Sequence, residues 1–337
     1  MSVRPLLEIH NLSTHYVSAR GTRVVRAVDD VSLRIDAGET LGIVGESGSG
    51  KSTLALTIQR LLPPAARITS GRMMFEGEDL LQKSEAEMRH VRVKRIAMIL
   101  QDPMASLNPL FTIGDQVGES LRVHNGLGRR AAWQRARDLL KDVRIPSPET
   151  RLGQHPHEMS GGMRQRIVGA IGISCEPRLL IADEPTTSLD LTIQAQYLAL
   201  LRDLQRAHGL ALIFITHNLG IVAKMCDQLA VMYAGRVVEA GPVRQLFRAP
   251  SHPYTKALLN SIPRMNDDRK RLTAIDGQPP DLTAPPPGCA FHPRCTAVIE
   301  TCRHEAPPET IEADGRVVRC WHSAHVAKEP ALTGPDT

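Results

Sequence analysis

With 337 residues the chain exceeds one average domain and fits one large domain with an appendage. Its 42% hydrophobic and 23% charged content is that of an ordinary globular protein, and its formal charge of +5, from 41 basic and 36 acidic residues, is scattered singly or in pairs, so that no charged tail is read from it. Aromatic residues make up only 3%, which argues against the stacking platforms usual in nucleic-acid binders, and apolar runs such as Leu210 to Ile215 fall far short of the ~20 residues of a membrane span.

In chain order, the opening MSVRPLLEIHNL breaks its apolar residues with Pro5, Glu8 and His10, so no signal-peptide core is expected. A cytoplasmic location follows, in which the six cysteines serve as thiols or metal ligands rather than disulfides. Leu6 to Leu12 and Val28 to Ile35 alternate apolar and polar residues, as half-buried antiparallel strands do. Leu41-Gly42-Ile43-Val44 is wholly apolar and ends at a glycine loop, after which Ser52 to Leu62 has helical spacing: buried strand, loop, helix. Further apolar runs at Ile96 to Leu100, Leu179 to Ala182 and Leu212 to Ile215 read as parallel core strands, so the fold class is α/β. Residues 102–159 carry helical stretches near Ile113 to His124 and Arg130 to Val143 and form a helical insertion. A Tyr233-Ala234-Gly235-Arg236 turn joins two more strands, and PSHPYTKALLNSIP, Pro250 to Pro263, marks a change of composition. Gln278 to Gly288 is proline-dense, the next segment holds four cysteines and little apolar periodicity, and the last dozen residues read as a disordered tail.

The chemistry lies at the loop ends. Gly45-Glu46-Ser47-Gly48-Ser49-Gly50-Lys51-Ser52 fits the phosphate-loop pattern in its required context. Its glycines let successive amides face phosphate oxygens, the helix N-terminus adds its positive end, Lys51 reaches the β and γ phosphates, and Ser52 holds Mg²⁺. ATP contacts are therefore expected at Gly45, Ser47, Gly48, Gly50, Lys51, Ser52 and Thr53. Asp183 ends a buried strand, the ligand edge of an open sheet, where a carboxylate suits the metal; Glu184 beside it suits the attacking water. MSGGMRQ, Met159 to Gln165, adds a second small glycine-rich backbone of the kind that closes on ATP held by a partner.

This ordered trio of motifs resembles the ATP-binding cassette (ABC) subunits of membrane transporters. The resemblance implies an ABC-type P-loop ATPase with an antiparallel β subdomain, a helical subdomain and a small Cys-rich C-terminal domain. In chain numbers it implies a nucleotide-binding domain over 1–250 with its helical insertion at about 102–160, a C-terminal domain over 251–325, and the tail over 326–337. It further implies that Gln101 is the Q-loop residue touching Mg²⁺, that His217, 33 positions after Glu184, is the switch histidine, and that Asp190 belongs to the D-loop. Tyr16, 35 positions before Lys51, would stack on adenine, and Ser160, Gly161 and Gly162 would bind the partner's γ-phosphate through a hydroxyl, amides and a helix N-terminus. The chain departs from the wider family at Met159 and Met163, where Leu and Gln are commoner, and at Asn218, where Asp is usual.

QDPMASLNP, HPYTKALL and GCAFHPRC narrow the resemblance to importers of peptides, dipeptides and nickel. It implies an ATPase beneath two membrane permeases at the cytoplasmic face of the inner membrane, paired with a sister ATPase or a copy of itself and served by an extracytoplasmic substrate-binding protein. Short peptides are the expected cargo, with nickel or glutathione as the nearest rival. A chromosome-maintenance ATPase is disfavoured because the 58 residues between Gln101 and Ser160 leave no room for a coiled coil, and a tandem cassette because only one phosphate loop occurs.

Cys289, Cys295, Cys302 and Cys320 are spaced C-x₅-C-x₆-C-x₁₇-C, whereas Cys175 and Cys226 sit in apolar surroundings typical of inert thiols. Four cysteines in a proline-rich cytosolic segment argue for a metal in place of a core, but the spacing matches neither the tight zinc pairs nor the ferredoxins. The resemblance favours a structural 4Fe-4S cluster over zinc, with His292 a lesser ligand candidate.

Overall fold

The computed structural model describes residues 4–187, 189–262 and 275–323. The expected tail at 326–337 lies outside them. The chain divides into two compact units, one built on 79–215 with 1–6 and 35–39, the other on 7–34, 40–78 and 216–337.

The first unit is organised on three parallel strands, with Leu179–Asp183 between Ile96–Ile99 and Ala211–Ile215; Ile99 pairs with Ala182 and Asp183 with Ile215. Every residue of Leu179–Asp183 and Ala211–Ile215 is buried, which is why Leu179 to Ala182 and Leu212 to Ile215 read as unbroken apolar runs rather than alternations. Helices cover Ile113–Asn125 and Arg129–Asp142, where the spacing places them. Thr112 caps the first, its hydroxyl accepting from the Asp115 N–H at 3.2 Å, and Gly126 at φ 68° ends it in the left-handed conformation. Gly161–Ile173 follows, and Leu191–His208 leaves the carboxyl end of the central strand under an Asp190 cap.

The second unit carries the antiparallel layer. Leu7–Val17 lies between Val24–Ile35 and Ala66–Phe75, with Leu7 opposite Phe75 and Tyr16 opposite Ala66. Thr40–Val44 runs parallel to Gln228–Tyr233, and Arg236–Pro242 returns antiparallel to it through Ala234 and Gly235, both at positive φ (48° and 83°), the geometry of a tight hairpin. Val317–Val318 adds to the outer edge, pairing Glu239 with Val318. The helix expected over Ser52 to Leu62 is shorter, Lys51–Ile58: Arg60 turns to φ 50° ahead of Pro63 and Pro64, which cannot continue it. Tyr233, Tyr254 and Phe291 form a buried aromatic group with ring centroids 4.6 to 5.3 Å apart. Such pairs contribute about 0.5–1.5 kcal/mol each, so residues from the C-terminal segment complete the core beside the glycine loop.

Candidate active site

In the second unit the buried strand Thr40–Val44 delivers the glycine loop. Gly45 sits at φ 156° with the Met232 carbonyl 2.1 Å from where a Cβ would be, and Gly50 at φ 103° with the Ala27 carbonyl 2.0 Å away; no other residue fits either place. Lys51 is buried, and its ammonium donates to the Gly45 and Glu46 carbonyls at 2.8 and 2.9 Å and to Ser49 Oγ at 3.4 Å. The loop thus curls around its own lysine. Ser52 is exposed at the helix start, with Thr53 next to it half-buried. Tyr16 reaches the same helix, its hydroxyl 3.4 Å from Thr53 Oγ1. His217 is exposed just past Thr216, whose N–H donates to the Ile43 carbonyl at 3.2 Å. Asn218 caps the helix Leu219–Met225, its Oδ1 accepting from Gly220 and Ile221 at 2.9 and 3.3 Å; aspartate would do the same, so this departure keeps the local structure.

In the first unit Asp183 is buried at the carboxyl end of its strand. Glu184 follows at φ 46°, a strained conformation for a side-chain-bearing residue, anchored by its N–H on the Ile215 carbonyl at 2.9 Å. Its Oε2 accepts from Gln101 Nε2 at 3.3 Å and from Thr187 Oγ1 at 3.0 Å, so two residues singled out from sequence meet and a third, Thr187, joins them unannounced. Asp190 accepts from the Ile193 N–H at 2.9 Å as the cap of Leu191–His208. Ser160 caps Gly161–Ile173 by accepting from the Met163 N–H at 3.3 Å, while Met159 before it is buried and serves as a core side chain. A Cβ on Gly162 would press to 2.8 Å from Ile193, but one on Gly161 would meet nothing, so this chain's own packing requires glycine only at 162.

Cys289, Cys295, Cys302 and Cys320 line one cavity of about 10 Å³ with His292, Trp321 and His322. Burial pushes the Cys289 thiol up to about 11 and that of Cys320 up to about 12, and raises Cys295. His292 turns its Nδ1 to the Cys289 carbonyl at 3.0 Å. Among the described residues no group of three or more His, Cys, Asp or Glu side chains is set to hold a metal ion. Cys226, raised by burial to about 12, and Cys175, also raised by burial, stay protonated, as expected of inert thiols.

A glycine loop on a buried strand, a helix opening at its lysine, and paired acidic residues at the end of a parallel strand define a P-loop ATPase cassette. A family profile described as ABC transporter matches residues 28–187, and one described as Oligopeptide/dipeptide transporter, C-terminal region, matches residues 238–302. The dipeptide transport ATP-binding protein DppD of Bacillus subtilis is 48% identical over 98% of both chains, and DppD of Escherichia coli is 45% identical over 97% of this chain and 99% of its own. The oligopeptide transport ATP-binding protein OppD of Haemophilus influenzae is 45% identical over 96% and 98%. Among solved structures, the dimeric bacterial ABC transporter cassette MJ0796 aligns with TM-score 0.63 at 25% identity, covering 71% of this chain and 99% of that one. The chain belongs to the ABC transporter ATP-binding subunits, in the oligopeptide/dipeptide branch, and is an ATP-hydrolysing enzyme.

Proposed function

We propose that this chain is the ATPase of an importer for di- or oligopeptides, working as one of two nucleotide-binding subunits, with a sister chain or a second copy, beneath two permeases fed by an extracytoplasmic binding protein. The observation that carries the reading is Gly161: it is exposed at a helix start capped by Ser160, with open space where its Cβ would be, so its bare backbone can be approached from outside. A phosphate held by another subunit needs such a bare backbone at a positive helix end. The names of relatives from three bacteria support peptides as cargo. The described residues contain no helix long and apolar enough to cross a membrane.

In the mechanism, the glycine-loop amides and Lys51 bind the β and γ phosphates of ATP, and Tyr16 with Thr53 flanks the nucleotide. Ser52, Gln101 and Asp183 would hold Mg²⁺, which neutralises phosphate charge; an exposed hydroxyl, an amide and a carboxylate suit a hard cation. Glu184 takes the proton of the attacking water, with Gln101 and Thr187 fixing its carboxylate, a role worth roughly 10²- to 10⁴-fold in rate. His217 senses the γ-phosphate, and its loss on hydrolysis lets the pair reopen. Glu184→Gln is expected to bind ATP, accumulate the closed dimer by size-exclusion chromatography and lose turnover at least 100-fold; near-normal turnover removes Glu184 from this role.

The C-terminal domain is assigned to 251–325, with a structural 4Fe-4S cluster on Cys289, Cys295, Cys302 and Cys320. The support is that all four cysteines line one cavity and match the spacing read from the sequence; among the described residues their side chains are not grouped as a ligand set, so the cluster would have to draw them together.

A further inference from the structure

Glu46 stands inside the glycine loop, where a carboxylate is an awkward neighbour for a triphosphate, since like charges repel and no phosphate contact needs it. Its charge is taken up by Arg294, 248 positions along the chain: Nη1 donates to Oε2 at 2.7 Å and Nη2 to Oε1 at 3.0 Å, a two-pronged pair whose arginine side chain is only 4% exposed. The guanidinium is itself fixed, donating through Nε to the Asp276 carbonyl at 2.9 Å and through Nη1 to the Tyr233 hydroxyl at 3.3 Å. The main chain of Glu46 is held as well, its N–H donating to the Tyr254 hydroxyl at 2.9 Å. That amide is therefore directed at tyrosine rather than at a phosphate, and Tyr254, in the HPYTKALL motif, is fully buried in the aromatic group.

Arg294 closes the short 3₁₀ turn His292–Arg294 and immediately precedes Cys295. The turn hangs on Cys289, whose carbonyl accepts the His292 N–H at 2.9 Å, and returns through the Cys295 N–H to the His292 carbonyl at 3.3 Å. The two cysteines that bracket the arginine both line the cysteine cavity.

We propose that Arg294 and Tyr254 are positioning residues for the glycine loop, and that through the Arg294–Glu46 pair they make ATP affinity depend on the order of the cysteine-bearing segment. The proposal rests on the reading of the loop as the ATP-binding element. An arginine that both pairs with Glu46 and fixes its direction keeps the loop open to phosphate; without it the carboxylate has lost that partner and is free to swing toward the ligand. Lysine keeps the charge but not the fork, so it replaces arginine only in part.

The test is the dissociation constant of a fluorescent ATP analogue for the full chain, with nucleotide-free thermal unfolding measured alongside. Arg294→Gln is expected to weaken binding about tenfold and Arg294→Lys about threefold. Adding Glu46→Gln to the Arg294→Gln chain restores affinity to within about twofold of wild type, because the stray charge is gone. A merely structural arginine would lower the melting temperature and gain nothing from the second change. Cys295→Ser weakens binding in the same way and is relieved by the same Glu46→Gln. Unchanged affinity in Arg294→Gln, or a loss that Glu46→Gln fails to relieve, overturns the proposal, and a Cys295→Ser chain that binds as wild type overturns its link to the cysteine segment. Should Arg294→Gln not fold, Arg294→Lys decides by the same two outcomes. Lys51→Ala serves as the separate control: if it still binds the analogue, the nucleotide reading of the loop fails instead.

Discussion

Glu184 and Glu239 are both acids that the fold treats unusually, and they illustrate what sequence discloses at the scale of a residue. Glu184 was legible as an acid after a buried strand; its positive φ and the Thr187 contact were not, because they depend on where the neighbouring strand ends. Glu239 gave no signal at all. Its carboxyl is fully buried, accepts the Ser251 and His252 N–H groups at 2.8 and 3.0 Å, and lies 3.5 Å from Arg316 Nη1. Burial outweighs these partners and pushes it up to about 7 from an ordinary 4.5. Between those values the folded chain holds a proton that the unfolded chain releases, so this group's contribution is complete below about pH 4.5 and declines as pH rises through 7. The decline is on the order of 1–3 kcal/mol. Glu239→Gln has no such proton to lose. Urea unfolding at pH 5 and pH 8 is expected to show wild type losing stability relative to Glu239→Gln by that amount, whereas a difference that stays constant with pH contradicts the assignment. His252 beside it, which burial holds neutral at about 3, is common to both chains and cancels.

Among the elements, legibility followed burial pattern. Leu179–Asp183 and Ala211–Ile215 were plain because both faces are covered and every position up to the closing Asp183 of the first is apolar. Ala66–Phe75 escaped notice because Arg67, Ser70, Gly71 and Arg72 leave its middle solvated, and only pairing with Leu7–Val17 makes it a strand. The helix Gly161–Ile173 buries residues all round and so lacks a clean stripe. The cysteine segment lies at the far end of this range: its turns hold few apolar side chains, and spacing alone chose no metal. Its stability is expected to follow the proposed cluster. Protein purified without oxygen should contain about four iron and four sulfide per chain with broad visible absorption, and any one of the four Cys→Ser changes should remove most of both and lower the melting temperature. Stoichiometric zinc, or colourless protein with full stability, rules the iron cluster out.

For the molecule as a whole, one glycine loop and one MSGGMRQ segment occur in the chain, in different compact units. Lys51 is buried in its loop, whereas Ser160 and Gly161 are exposed, and none of the described residues packs where a Cβ on Gly161 would go. If that exposed glycine face completes the pocket of another subunit, hydrolysis is a property of a pair and ATP binding a property of one chain. Turnover per chain is then expected to rise with protein concentration, or on titration with the sister subunit, and to vanish on dilution, while ATP affinity at high dilution stays measurable. Ser160→Arg places a bulky cation at the cap without touching the glycine loop, so it should leave binding by the isolated chain within about twofold of wild type and reduce paired turnover at least 100-fold. A sample shown by light scattering to be monomeric, yet turning over at a rate independent of concentration and of Ser160, would mean that the MSGGMRQ segment serves this chain's own fold and not its partner's nucleotide.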